Sequence, residues 1–224
     1  MFEITAAWKS AFPESHVGVL VMRDATNPAQ HPELSKIKTE LEEGLRKQFS
    51  GQDRVAMSSH PILQAYNTYY KRFKKSYHVQ LQLESIVWKG KSIPSVSALV
   101  QAMFMAEMKN MLLTAGHDLD LLQLPLTLDV SKGTESYQLM RGEDQVLKPD
   151  DMMISDQAGI ISNIIYGPDK RTQITANTKN VVFTVYAPSG IDEHAVTNHL
   201  EDIQRYVMIA SPQAQTELLK VYDS

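Results

Sequence analysis

The sequence contains no cysteine. This absence excludes disulfide bonds, thiolate metal ligands and cysteine nucleophiles, and it is consistent with a reducing compartment. Residues 1–10 include Glu3, Trp8 and Lys9 and lack the apolar run of a signal peptide. No segment approaches the roughly 18 consecutive apolar residues that a membrane span needs. We therefore expect a soluble, cytoplasmic protein without a membrane partner.

Common catalytic motifs are also missing from the sequence. It contains no Gly-rich phosphate loop, no dinucleotide fingerprint and no serine nucleophile elbow. His194 and His199 are five residues apart, so a helix would direct them to different sides instead of towards one metal ion. We interpret both as solvent-facing histidines, and we expect neither a metal nor a cofactor.

The net charge of −4 argues against general nucleic-acid binding, because phosphate contacts need clustered Lys and Arg. Any RNA contact must therefore be local. The candidate RNA-binding residues are Lys71, Arg72, Lys74, Lys75, Lys89 and Lys91. Aromatic residues are interleaved with the first four, which suits phosphate contacts combined with base stacking. The alternative is a helix end with its aromatic rings inward and its lysines in solvent.

Hydrophobic periodicity predicts an α+β fold in a single domain, with mixed β-sheet layers flanked by helices. A strand is expected at 16–22, helices follow from Leu34, Pro61, Tyr77 and Pro94, and strands dominate after Leu124. Helices are expected again from Asp192 and from Ser211. We divide the chain into an N-terminal extension at 1–60, a core at 61–210 and a C-terminal helical tail at 211–224. The extension and tail either complete the core or form a dimer surface.

Two local features allow both functional and structural interpretations. His117 lies with Asp118 and Asp120 in a predicted loop, where the carboxylates could orient an acid or base or hold a cation. The alternative is a polar turn whose aspartates bond their own backbone. The methionines of the helix from Pro94 either line a flexible pocket or fill the core, and the second is favoured because buried helices often contain Met.

Six short segments carry a family resemblance. They are residues 89–96 (KGKSIPSV), Leu99-Val100, Asp118-Leu119-Asp120, residues 150–159 (DDMMISDQAG), Ile164-Ile165-Tyr166-Gly167 and residues 178–182 (TKNVV). In order and spacing they resemble the tRNA-editing (B-three/B-four) domain of the phenylalanyl-tRNA synthetase beta subunit and its free-standing relatives. In that family the domain removes wrongly attached tyrosine from the tRNA for phenylalanine. The resemblance extends over residues 70–188, about half of the chain.

The resemblance also implies a pocket, although its chemistry differs from that of the family. The family's Thr-Asn pair falls on Met103 and Phe104, its His on Ala115 and its Glu on Thr184, so the pocket should be more apolar and poorer at recognising a phenolic hydroxyl. The implied pocket residues are Met103, Phe104, Ala115, Asp118, Asn163, Tyr166 and Gly167. His117, two residues beyond the family's His position, and Thr184 are the candidate catalytic residues.

Two functions follow as hypotheses. The first is a tRNA-binding protein that hydrolyses a mischarged aminoacyl ester in trans, with no aminoacylation activity of its own. The second is a non-catalytic binding protein for a free amino acid or a small apolar metabolite. The basic residues and the resemblance favour the first, whereas the acidic net charge and the apolar substitutions favour the second.

Overall fold

The structure, a computed structural model, describes residues 2–224. Met1, the first residue of the predicted segment 1–60, lies outside the described residues. The helices are α1 (Ala6–Ala11), α2 (Pro32–Gln48), α3 (Arg54–Ser58), α4 (Pro61–Arg72), α5 (His78–Lys89), α6 (Ala98–Asn110) and α7 (Glu193–Ala210). The strands are β1 (Phe2–Ile4), β2 (His16–Arg23), β3 (Leu113–Asp118), β4 (Leu126–Val130), β5 (Ser136–Gln138), β6 (Asp144–Val146), β7 (Met152–Asp156), β8 (Gly159–Asn163), β9 (Gly167–Pro168), β10 (Val181–Ala187) and β11 (Gln215–Asp223). The predicted α+β class is confirmed.

Two larger sheets and a small hairpin hold the strands. The antiparallel four-stranded sheet has the order β11-β2-β10-β3, and the five-stranded sheet has the order β1-β4-β7-β8-β9. In the second sheet β1 is parallel to β4. Strands β5 and β6 form the separate hairpin. None of the helices in residues 2–224 combines the length and the apolar character that a membrane crossing requires.

Helix α7 packs closely on the four-stranded sheet, and Gly18 permits this approach. A Cβ atom at Gly18 would lie 2.6 Å from Val196 Cγ1 and 3.1 Å from Leu200 Cδ1. Those separations are below van der Waals contact, so only glycine fits at this position of β2. Because β2 is buried on both faces, it reads as a continuous apolar run in the sequence.

The helix predicted from Pro94 begins four residues later, at Ala98. Its first backbone N–H groups find partners from a distant loop: Ala98 donates to the Pro28 carbonyl at 2.9 Å, and Leu99 donates to Asn27 Oδ1 at 2.9 Å. Because unpaired N–H groups at a helix start are costly when buried, these tertiary partners fix the first turn. The proline at 94 therefore does not mark the start.

The predicted C-terminal helical tail is wrong, because residues 215–223 form strand β11. A turn at 211–214 reverses the chain, closed by the Ala214 N–H donating to the Ser211 carbonyl at 3.0 Å. Strand β11 then pairs with β2 along its length, and Tyr222 stacks on Phe2 with ring centroids 4.9 Å apart. Pairing with the edge of β2 therefore decides the conformation of this segment, and the helical preference of the sequence after Ser211 is too weak to prevent it.

The predicted N-terminal extension shares both sheets with the rest of the chain. Strand β2 lies between β11 and β10, and β1 pairs with β4. Trp8 of α1 is completely buried in the common core. Residues 2–60 are thus part of the same domain as the rest of the chain, because they contribute strands to both larger sheets.

Candidate functional site

A cavity of about 310 Å³ lies between α5, α6, β3 and the β8–β9 turn. Its wall is mainly apolar, formed by Val96, Val100, Met103, Phe104, Leu113, Ala115, Met140, Pro168 and Ile174. Its polar lining groups belong to His78, Gln82, Glu107, Thr114, Asn163 and Tyr186. Val96 and Met140 are exposed and mark the mouth. This composition, an apolar wall with a few polar groups, is typical of a small-molecule site.

The structure places five of the seven predicted pocket residues together at this cavity. They are Met103, Phe104, Ala115, Asn163 and Gly167. Gly116 also lines the cavity. A Cβ atom at this position would lie 2.9 Å from Ile174 Cδ1 and 3.2 Å from Met103 Sδ, so a larger residue would crowd both side chains. Met105 of the same helix is buried in the core, as favoured from the sequence, whereas Met103 lines this cavity and the buried Met108 lines a neighbouring one.

Asp118 and Tyr166 do not line the cavity. Asp118 ends β3 and accepts hydrogen bonds from the Thr178 hydroxyl at 2.6 Å and from the Asp120 N–H at 3.0 Å. It therefore acts as the polar turn residue that was the structural alternative for this segment. Tyr166 sits beside Gly167 at the rim and donates its N–H to Asn163 Oδ1 at 2.8 Å.

His117 lies in strand β3 and not in the predicted loop, and its side chain is completely buried. Its Nδ1 lies 2.7 Å from Thr172 Oγ1, and the Thr172 hydroxyl in turn donates to Asp169. The Thr172 proton is thus engaged, so Nδ1 is the donor to Thr172. Burial, helped by the Arg171 charge, lowers the pKa of His117 to about 3. The imidazole is therefore neutral at ordinary pH and does not line the cavity.

Thr184 is also buried, in the middle of β10, with its hydroxyl 3.5 Å from the Ala115 carbonyl. It does not line the cavity either. Neither candidate catalytic residue therefore lines the cavity, and their catalytic role stays a prediction. Ala115 and Tyr186, two residues away along the same strands, do line the cavity, so the cavity wall ends before His117 and Thr184.

Glu107 is a polar cavity residue that the sequence analysis missed. It is buried, and its Oε1 accepts a hydrogen bond from the Thr114 N–H at 2.8 Å. Burial raises the pKa of Glu107 to about 8, although the Thr114 hydrogen bond opposes the shift. One signal was available: Glu107 is the only acidic residue in helix α6, most of whose residues are apolar.

The interpretation of His199 as solvent-facing is wrong, because its side chain is completely buried, while His194 is exposed as expected. Its Nε2 lies 2.7 Å from Thr114 Oγ1, directly behind the cavity wall. Burial lowers the pKa of His199 to about 3. The helical spacing predicted different directions for the two histidines but not that one of them points into the core.

Asn163 is held in place by a buried carboxyl group. Asp151 accepts from the Asn163 amide at 2.8 Å, from the Tyr69 hydroxyl at 2.6 Å and from the Ile165 N–H at 3.2 Å. Burial raises the pKa of Asp151 to about 7, although the hydrogen bonds from the Tyr69 hydroxyl and the Ile165 N–H oppose the shift. With its Oδ1 bonded to Tyr166, the amide of Asn163 has a fixed orientation at the cavity wall.

The predicted RNA-binding residues are all exposed, and two of them are close to the cavity. Lys75 Nζ lies 5.7 Å from the centre of the Tyr166 ring at the rim. Lys91 lines a neighbouring cavity of about 360 Å³ that shares His78, Gln82 and Phe104 with the first. The interleaved aromatic residues are buried, so they pack inward as the structural alternative predicted. These residues are Tyr69, Tyr70, Phe73 and Tyr77.

Arg72 differs from the other basic residues because its guanidinium is engaged within the protein. It lies over the rings of Phe12, Tyr69 and Phe73 at 5.7, 5.2 and 5.5 Å and donates to the Asp150 carbonyl at 3.2 Å. Among residues 2–224, no group of three or more His, Asp or Glu side chains is arranged to hold a metal ion.

Residues 64–208, more than half of the chain, match the B3/4 domain. The chain belongs to the B3/4 domain family. A similar fold occurs in an N-terminal fragment of the phenylalanyl-tRNA synthetase beta-subunit from Pyrococcus horikoshii, with a TM-score of 0.50 and 10% sequence identity. The likeness covers 100% of this B3/4 protein and 54% of that fragment, so the chain spans about half of the fragment's length. No curated protein matches the sequence.

Proposed function

We propose that this B3/4 protein binds the aminoacyl end of a charged tRNA in trans, with the aminoacyl side chain in the cavity. The observation that carries the proposal is the position of the cavity, because Met103, Phe104 and Ala115, three of the four residues at the family's pocket positions, line it. Exposed Lys75 lies 5.7 Å from the ring of Tyr166, the neighbour of the lining residue Gly167. Phosphates would contact Lys71, Lys74, Lys75 and Lys91. Lys89 would add positive charge to this surface without a defined phosphate contact. The proposal draws its tRNA partner from the family resemblance.

The wall of the cavity favours an apolar aminoacyl side chain. Met103, Phe104 and Ala115 offer no hydrogen bond to a phenolic hydroxyl, and the hydroxyl of Tyr186 is engaged with Ser162 at 2.6 Å. Beside these four residues a ligand hydroxyl would lose its water without gaining a hydrogen bond, which disfavours a phenolic side chain in that part of the cavity. Hydrolysis of the bound ester is the further step of this proposal, with a positioned water as the nucleophile.

A second function is favoured by a separate observation. The aromatic rings that would stack on bases are buried, which leaves lysine charge alone to hold RNA. If that charge is insufficient, the cavity binds a free small ligand and no tRNA. The two functions differ in one measurable property, which is affinity for RNA that weakens steeply with salt.

The binding test uses fluorescence anisotropy with tRNAs charged with phenylalanine, leucine, methionine and tyrosine, and with the same tRNAs uncharged. We expect tighter binding of charged tRNA, loss of that preference in Val100→Trp, which fills the cavity, and loss of most affinity when Lys71, Lys74 and Lys75 are changed to Ala. The matched control changes the exposed Lys36, Lys47 and Lys132 to Ala and should bind normally. Equal affinity for charged and uncharged tRNA would contradict the proposal.

The hydrolysis test follows ester loss from the same charged tRNAs over time, with His117→Ala and Thr184→Val as variants. Loss of activity in either variant, with folding intact, would support the catalytic role that the sequence suggested. Retained activity would place the reacting water elsewhere in the cavity. Absence of hydrolysis together with selective binding would identify a binding protein.

A further inference from the structure

The carboxyl group of Glu107 lines the cavity without a cationic partner. The side chain is 3% exposed, and its one hydrogen-bond donor is the neutral Thr114 N–H at 2.8 Å. Glu107 takes part in none of the salt bridges that residues 2–224 form. Lys109, the nearest base on the same helix, pairs instead with Asp202 at 2.7 Å. Glu107 is therefore a buried, cavity-lining carboxyl group that has no cation of the protein beside it.

The titratable groups around Glu107 supply no positive charge. Tyr66, Tyr70, Tyr77 and Tyr186 are neutral, because burial raises the pKa of each phenol. Behind the wall, His199 is neutral because burial lowers its pKa to about 3. At the mouth, desolvation lowers the pKa of His78 below 6.5. No Lys or Arg of the described residues lines the cavity.

We infer that Glu107 recognises a primary ammonium group in the cavity, and that the ligand has no free carboxylate beside it. This inference rests on the proposed function and narrows its substrate class. A free amino acid would bring a carboxylate into a wall that has no basic side chain to pair with it. An aminoacyl ester keeps the ammonium but has lost the carboxylate to the ester bond, so it fits both conditions.

Binding of an ammonium should move one proton from the protein to solvent. In the free protein Glu107 holds its proton at neutral pH, because burial without a cation raises its pKa to about 8. The ligand's positive charge favours the carboxylate, so the carboxyl O–H bond breaks and the proton passes to buffer. The ligand nitrogen keeps its own protons, and the new contact is a charge-assisted hydrogen bond.

The test measures binding of three matched probe types by isothermal titration calorimetry close to neutral pH. Phenethylamine and isoamylamine carry the ammonium alone, 2-phenylethanol and 3-methylbutan-1-ol are their neutral counterparts, and L-phenylalanine and L-leucine add the carboxylate. We expect the amines to bind at least tenfold more tightly than both other types. Titration close to neutral pH in phosphate and in imidazole, neither of which is a primary amine, should show nearly one proton released per bound amine, and almost no release is expected at about pH 9.

Two variants separate recognition from folding. Glu107→Gln keeps an acceptor for the Thr114 N–H but has no charge, and it should lower amine affinity at least tenfold while leaving alcohol affinity unchanged. The control is Glu42→Gln, a second buried glutamate that does not line the cavity and accepts hydrogen bonds from Ser92 and Ile93. It should bind every probe normally.

The possible outcomes show separately whether this inference fails and whether the proposed function fails. Alcohols that bind as tightly as amines, or amine binding without proton release, would overturn the role of Glu107 while leaving the cavity as a ligand site. Amino acids that bind as tightly as amines would overturn the exclusion of a carboxylate. Binding of none of these probes would overturn both the inference and the apolar ligand class.

Discussion

Asn163 Nδ2 lies 2.8 Å from Asp151 Oδ2, and this contact joins a polar group of the cavity wall to a carboxyl group in the interior. The same carboxyl accepts from Tyr69 of α4 and from the backbone of Ile165. The contact therefore connects the helical layer, strand β8 and the cavity in one hydrogen-bonded unit. Removing its centre should affect both stability and the geometry of the site.

Asp151→Ala is expected to lower the free energy of unfolding by about 3 kcal/mol, because it leaves three buried donors without an acceptor. Urea denaturation followed by circular dichroism measures the change. Asp144→Ala, at an exposed carboxylate of β6, is the control and should change stability by less than about 0.5 kcal/mol. A loss of similar size in both variants would show that Asp151 has no special role.

Glu107 should make stability fall as the pH rises. Burial raises its pKa from 4.5 to about 8, so the folded state keeps a proton that the unfolded chain releases above pH 4.5. The stability that Glu107 contributes is therefore complete below pH 4.5 and is lost as the pH rises through about 8. In Glu107→Gln this dependence should disappear.

Chemical denaturation of both proteins across this pH range tests the Glu107 prediction. Between low and high pH, the wild type should lose about 2 kcal/mol or more of unfolding free energy relative to Glu107→Gln. The variant is therefore favoured at high pH. A difference that stays constant with pH would mean that Glu107 is ionised in the folded protein throughout.

His199 should have the opposite effect at low pH. Burial lowers its pKa to about 3, so the unfolded chain takes up a proton below pH 6.5 that the folded state refuses. The stability present above pH 6.5 is lost as the pH falls towards 3. His199→Gln, which keeps a hydrogen-bonding group near Thr114, should weaken this acid sensitivity.

The His199 prediction is checked by thermal denaturation of wild type and His199→Gln at several pH values between about 4 and 7. Their midpoints should converge as the pH falls, even if the variant is less stable near neutrality. The exposed His194→Gln variant serves as the control and should follow the wild type at every pH. Parallel curves for wild type and His199→Gln would exclude the histidine as the cause.

The sequence predicted those elements whose signals are local. Helix α4 begins at Pro61, and α5 ends at Lys89, just before Gly90, whose φ of 65° is the left-handed conformation that glycine favours. Strand β11 was missed because its conformation comes from pairing with β2, which local patterns do not encode. The start of α6 was misplaced because distant partners, Pro28 and Asn27, define it.

For the site, the resemblance located positions but did not give side-chain directions. It placed Met103, Ala115 and Asn163 in one pocket, and the structure brings these three to the same cavity. It offered His117 as a replacement base from its closeness in sequence, yet the side chain packs against Thr172. Glu107 was missed because the residues between it and Thr114 form the end of a helix and the start of a strand, a reversal that spacing does not show.

The packing of α7 on β2 predicts that the same substitution has opposite effects on stability at Gly18 and at Gly44, because the space around the two glycines differs. At Gly18→Ala the new methyl group would meet Val196 Cγ1 at 2.6 Å, so the helix must shift and stability should fall by about 1–3 kcal/mol. At Gly44→Ala in α2 nothing lies within 4 Å, and the methyl group should stabilise the helix by about 0.5–1 kcal/mol.

Urea denaturation of the two alanine variants and of the double variant measures these opposite effects. Because the two positions share no contacting residue around the new methyl groups, the changes should add within about 0.5 kcal/mol. A stable Gly18→Ala protein would show that α7 can move away from the sheet at little cost. Helix α7 also carries His199, which backs the cavity through Thr114, so in that case the cavity wall would also be more adaptable than its close packing indicates.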